Sequence, residues 1–177
     1  MRLPATPYEL VDYRPLSRVK RIDVFAKLTP EEFAFARHVG EARQREAEAV
    51  GRRDRYGFEG LDPIDNHIHG AASEMLVAKA LRRTWLPVVE DPKTLPSDVG
   101  SNIQVRHTRH PTGRLILHPA DQDDQRFVLV RPRYPEHVIV GWILGRDGKK
   151  EKWWEEPIPG RAAFFVPNKE LHQLDSW

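Results

Sequence analysis

Near Asn102 the hydrophobic period of this chain changes, and that change constrains the fold more than any other feature of the sequence. Upstream, two segments, "LTPEEFAFARHVGEARQREAEAV" and "GAASEMLVAKALRRTW", carry their apolar residues at helical spacing. Downstream come short β-branched or aromatic runs: "NIQVRHT", "GRLILHP", "RFVLVRP", "HVIVGWIL" and "AAFFVP". They are separated by turn chemistry such as "HPTG", "HPADQDDQ" and "RPRYPE". Five strands after two helices predict an α/β (α+β) or α/β/α layout. The expected sheet is largely antiparallel, built from consecutive hairpins, with the strand near Ile103 paired to "GRLILH". Short helices are expected at "DGKKEKWW" and "NKELHQL".

The first helix has a clear start. Thr29 suits the N-cap, Pro30 the first helical position, and Glu31 and Glu32 the positive end of the helix dipole. It is expected to run to about Val50 and to pack along one narrow stripe of alanine and phenylalanine. The following "YGFEGLDPIDNHIHG" reads as loop, rich in Gly, Pro, Asp and Asn. This divides the chain into an N-terminal arm and helix over residues 1–60 and a main domain over 61–177.

Composition excludes several classes. No run of about 18 apolar residues exists, which argues against a membrane span. The N-terminus "MRLPATPYELVDYRP" lacks an apolar signal core, so a cytoplasmic protein is expected. With no cysteine, disulfides and thiolate metal sites are ruled out. A net charge of +2 is too small to name a partner by itself.

Chemistry concentrates around "SDVGSNIQVRHT". Glu74 lies early in the second helix, and Asp98 opens a Gly-broken turn. On the strand that follows, Gln104 and Arg106 share one face, and Ile103, Val105 and His107 the other. A helix packed over the Gln104 and Arg106 face would bring Glu74 to Asp98. Two carboxylates, an amide oxygen and the Val105 carbonyl would then offer hard oxygen donors to Mg²⁺, with Arg106 beside them for a phosphate.

This helix–turn–strand order resembles the PD-(D/E)XK nuclease superfamily over about residues 66–145. Glu74 falls on the helix acid, Asp98 on the turn aspartate, Gln104 on the second acid and Arg106 on the lysine. The resemblance implies a restriction-endonuclease-like α/β/α core and a metal-dependent endodeoxyribonuclease acting on double-stranded or branched DNA. Its cofactor would be Mg²⁺ (or Mn²⁺), held by Glu74, Asp98, Gln104 and Val105, with Glu74, Asp98, Gln104 and Arg106 as the catalytic set. A homodimer is compatible with the sequence. Arg106, His107 and Arg109, with Arg52, Arg53 and Arg55 at the basic end of the first helix, are candidate contacts to the nucleic-acid backbone.

Two departures from the pattern matter. Gln104 keeps an oxygen ligand but removes a negative charge. Arg106 cannot lose its proton at working pH, so it serves as a phosphate clamp and not as a base. These departures define the alternative, a catalytically inactive module of the same fold that binds nucleic acid or protein; a structural phage-type protein is a third reading. His67 and His69 are expected to be loop residues capping the second helix. "DQDD" at 121–124 is expected to be a hairpin turn, and Trp153 and Trp154 to be core or interface residues.

Overall fold

The computed structural model describes residues 22–51, 62–89, 96–133 and 136–177. Its first helix, α1 (Pro30–Ala49), begins as the sequence predicts. The Thr29 hydroxyl accepts from the Glu32 amide at 3.2 Å, and the Glu32 carboxylate accepts from the Thr29 amide at 2.7 Å. This reciprocal capping box satisfies two backbone donors at the helix start. The arginines expected beyond its C-terminus, Arg52, Arg53 and Arg55, lie outside the described residues.

The second helix, α2 (Pro63–Leu81), begins earlier than expected. "PIDNHIH" is helical, not loop: Asp62 caps the Ile64 amide at 3.1 Å and Pro63 takes the first helical position. An aspartate–proline pair reads equally as a turn and as a helix start, and the turn-rich composition around it favoured the wrong choice. His67 and His69 are therefore helix residues. Ala36 and Val39 of α1 pack against Ala71 and Ala72 of α2. A Cβ placed on Gly40 would lie 2.4 Å from the Ile68 Cα, so glycine is what permits this approach.

Two three-stranded sheets follow. The first contains β1 (Ile103–His107), β3 (Arg126–Arg133) and β4 (Glu136–Leu144), in the order β1–β3–β4. The second contains β2 (Leu115–Leu117), β5 (Trp154–Glu155) and β6 (Ala163–Val166), in the order β2–β6–β5. The architecture is thus mixed α+β. The expected hairpin between Ile103 and "GRLILH" does not form. Instead β1 runs parallel to β3, with Val105 opposite Val128, and β2 pairs antiparallel with β6 in the other sheet. Only β3 and β4 form a consecutive antiparallel pair within the first sheet.

The reason lies at the two sides of β1. One is taken by β3. The other is covered by the turn before it, where the Asp98 and Val99 amides both donate to the Ile103 carbonyl, at 2.9 and 3.1 Å. No side remains for β2. Isolated antiparallel bridges, Trp85 with Val99 and Val99 with Ile103, extend this covering. Gly100, at φ +60°, makes the turn possible.

β3 is central and buried on both faces, which explains its continuous apolar run "FVLV". Val128 and Val130 face α2 together with Leu76, Val77, Leu81 and Ile103. Phe127 and Leu129 face the second sheet with Leu115, Leu117 and Val166. The 121–124 segment joins β2 to β3, strands of different sheets, and so is not a hairpin turn. Trp153 is buried and Trp154 half exposed against Phe164. No helix among the described residues is long and apolar enough to cross a membrane.

Candidate active site

Along β1 the alternation fixes what each side chain meets. Ile103 and Val105 join the core under α2, and His107 shares their face. Gln104 and Arg106 point to the other face. The helix carrying Glu74 therefore covers the opposite side of the strand from the one the sequence reading assigned it. Glu74 thus lies with the helix over one face of β1, Gln104 and Arg106 lie on the other, and Asp98 lies at the edge between them.

Asp98 sits at that edge. Its Oδ2 accepts from the Val105 amide at 2.7 Å, which turns the Val105 peptide toward the carboxylate and away from β3. Burial first, and the negative charge of Glu74 second, raise the Asp98 pKa from 3.8 to about 6. The Val105 amide, Arg106 and Arg43 pull the other way. Asp98 also lines an open groove of about 210 Å³ with Thr84, Leu86, Pro96, Ser97 and Gly100.

Glu74 is already engaged. Arg43 of α1 grips it with both guanidinium nitrogens, Nη1 to Oε1 and Nη2 to Oε2, each at 2.8 Å. The indole of Trp85 donates to Oε2 at 2.9 Å, and Arg43 Nε donates to the Val88 carbonyl at 2.8 Å. Both side chains of the ion pair are largely buried, 17% and 13% exposed, so each charge relies mainly on the other and little on water.

On the far face, Arg106 Nη2 donates to Asp121 Oδ1 at 3.1 Å, and its guanidinium lies 5.4 Å from the Phe127 ring centre. Asp121 is itself fixed, since Oδ2 accepts from the His118 amide at 2.8 Å. Gln104 donates to the Pro96 carbonyl at 3.2 Å, leaving its amide oxygen toward Arg106 at 3.5 Å.

The candidate backbone contacts separate into a second cluster. His107 Nε2 lies 3.0 Å from Asn66 Oδ1, and Arg109 donates to Asp65 at 3.3 Å, both partners being on the first turn of α2. His69 Nδ1 and His137 Nε2 are 3.1 Å apart, a distance at which one hydrogen is shared between two rings. Phe33 of α1 packs against His137 with ring centres 5.8 Å apart and the planes tilted at 45°. Burial, then the surrounding imidazoles, lowers His107 from 6.5 to about 4. Burial and His69 do the same to His137, and burial and Arg109 lower His69.

Among the described residues, no group of three or more His, Asp or Glu side chains is arranged to hold a metal ion. A cation at the edge of β1 would rest on two carboxylates and take its other donors from Gln104 and the Val105 carbonyl. Sequence reasoning missed Arg43, Trp85, Asp121 and His137. Arg43 lies in "EARQREAE", where a charge run on a helix reads as a solvated face; Asp121 lies in "DQDD", which reads as a turn; and nothing local marks Trp85 or His137. No family model, curated protein or solved structure matches the chain.

Proposed function

We propose that the chain is a metal-dependent endodeoxyribonuclease built on a restriction-endonuclease-like α/β/α core, with double-stranded or branched DNA as substrate. The observation that carries this reading is Asp98, a carboxyl pushed up to about 6 by burial and by a second carboxylate. A buried carboxyl whose pKa is raised further by a second carboxylate is a common sign of a functional site. The donor set is also chemically apt: the Asp98 carboxylate accepts through Oδ2 from the Val105 amide, and carboxylate, amide and carbonyl oxygens suit Mg²⁺ or Mn²⁺.

In this reading Asp98, Glu74, Gln104 and the Val105 carbonyl hold the ion. When bound, the ion supplies positive charge to the phosphodiester and a water of lowered pKa. Asp98 must give up its proton to bind it, so occupancy falls with acid below about pH 6. Arg106, braced by Asp121 and Phe127, holds the scissile phosphate and offsets its added charge. A second reading, a nucleic-acid or protein-binding module that keeps the scaffold without the metal, is favoured by one observation: the Arg43 fork already neutralises Glu74.

The test is cleavage of plasmid, linear and branched DNA by the purified chain with Mg²⁺ or Mn²⁺. Cleavage is expected, with near-complete loss in Asp98→Asn and Arg106→Ala and partial retention in Arg106→Lys, while DNA binding by Asp98→Asn persists. No cleavage with either ion, and no heat of metal binding, would leave the non-catalytic module standing.

A further inference from the structure

We infer that Arg126, packed against the indoles of Trp142 and Trp177, forms an oxyanion site that takes the phosphate group of a nucleotide or of a nucleic-acid strand. It stands at the start of β3 and shares no residue with the site around Asp98, so it holds whether or not that site takes a metal.

Three observations carry it. The guanidinium carbon lies 5.5 Å from the Trp142 ring centre and 5.1 Å from that of Trp177, so two indoles meet one cation. Arg43, Arg106, Arg109 and Arg114 each reach a carboxylate, whereas among the described residues none pairs with Arg126. Finally, Arg126 Nε is buried without a hydrogen-bond partner, while the residue as a whole is half-buried and its outer nitrogens remain open. The side chain is thus placed by its aromatic contacts and not by any internal hydrogen bond.

That placement leaves a fork ready for a ligand. Contact with a ring uses the face of a guanidinium, and the N–H groups, which lie in its plane, stay free to donate. The rings themselves are fixed. Trp142 donates through Nε1 to the Gln173 carbonyl at 3.2 Å, and its backbone exchanges hydrogen bonds with His172 at 2.8 and 2.9 Å. Trp177 packs on Trp142 with ring centres 5.0 Å apart. Little ordering of the arginine remains to be done on binding. Two parallel N–H bonds from Nη1 and Nη2 suit two oxygens of one anion. A phosphate brings more negative charge and more acceptor oxygens than a carboxylate, and so gains more from a cation that has no counter-charge.

The experiment is NMR titration of the full chain at pH 7.5 in EDTA, following the indole N–H signals of wild type, Arg126→Gln and Arg126→Lys. The probes are inorganic phosphate, a mononucleotide, a short oligothymidylate and acetate, with sodium chloride at matched ionic strength as the blank. Phosphate, mononucleotide and oligonucleotide should shift the Trp142 and Trp177 signals saturably in wild type, with Trp153 and Trp154 unmoved. Arg126→Gln should bind about tenfold more weakly or not at all. Arg126→Lys keeps the charge without the fork and should fall between; it carries the test if Arg126→Gln fails to fold. Tighter, salt-sensitive binding of the oligonucleotide than of the mononucleotide would support a strand as the source of the phosphate, and equal binding a free nucleotide. Shifts no larger than those with chloride, or undiminished in both variants, would overturn the inference and leave Arg126 as a packing contact of the C-terminal segment. Acetate binding as tightly as phosphate would overturn the assignment to phosphate.

Discussion

His69 and Glu74 stand on the same helix, and the fold treats the groups around them in opposite ways. Around His69 burial lowers the imidazole pKa values, so the rings stay neutral and His69 and His137 share a hydrogen at 3.1 Å. Around Glu74 a guanidinium from another helix is brought in to meet the carboxylate. The lesson is that burial alone does not decide protonation. A base whose neutral form can hydrogen-bond to its neighbour gives up its charge, whereas a carboxylate gripped by a bidentate arginine fork is given an opposite charge to pair with.

The sharpest way to break this contrast is Glu74→Ala. It leaves Arg43, only 17% exposed, without a counter-charge, and should cost about 3–5 kcal/mol in urea unfolding at pH 7.5. A loss under about 1 kcal/mol would mean the pair behaves like a surface ion pair.

The imidazole side gives a smaller effect with a defined pH sign. The fold lowers the pKa of His137 from 6.5 to about 4, so its stabilising contribution is full above pH 6.5 and is lost as pH falls toward 4. Allowing for partial solvent screening, wild type should lose about 2 kcal/mol across that window from this residue. His137→Phe keeps the contact with Phe33 but cannot titrate, and its unfolding free energy should be flatter between pH 7 and 4. An equally steep acid limb in the variant would assign the loss to His107 or to groups elsewhere.

Asp98 carries the opposite sign and the smallest net change. With its pKa raised to about 6, it favours the fold below about pH 4, and that advantage is lost as pH rises through 6. Asp98→Asn keeps an oxygen for the Val105 amide and removes the buried charge. Without metal it should be more stable than wild type by about 1 kcal/mol at pH 8 and no more stable at pH 4, as read from paired urea curves. The reverse ranking at pH 8 would show that Arg106 and Arg43 overcompensate for desolvation.

The parts of the fold readable in the sequence were those written in local code. The Thr29–Pro30–Glu32 start of α1, the strand runs after Asn102 and the Gly100 turn all follow from neighbouring residues. Strand pairing was not readable, because "GRLILH" is near "NIQVRHT" in sequence and nothing in either run reveals that the Asp98 turn has already covered β1. The same gap affects the site. Asp98 and Val105 are local neighbours that the sequence reading grouped as metal ligands through the Val105 carbonyl; the hydrogen bond from the Val105 amide to the Asp98 carboxylate was not foreseen. Arg43 on Glu74 and Asp121 on Arg106 join residues 31 and 15 positions apart, and their chemistry is ordinary until the fold brings them together.

The second sheet has a consequence for how the chain matures. Its middle strand, β6, is the last of the six strands to be made, and β2 has no sheet partner until residues 163–166 exist. Leu115 and Leu117, both without exposed surface in the finished fold, therefore leave the ribosome long before their shelter does. Over that interval they form a short apolar tract of the kind that chaperones hold and that aggregation begins from. Slow translation or loss of residues 163–166 should thus be felt first as poor yield, with α1 and α2 still able to form.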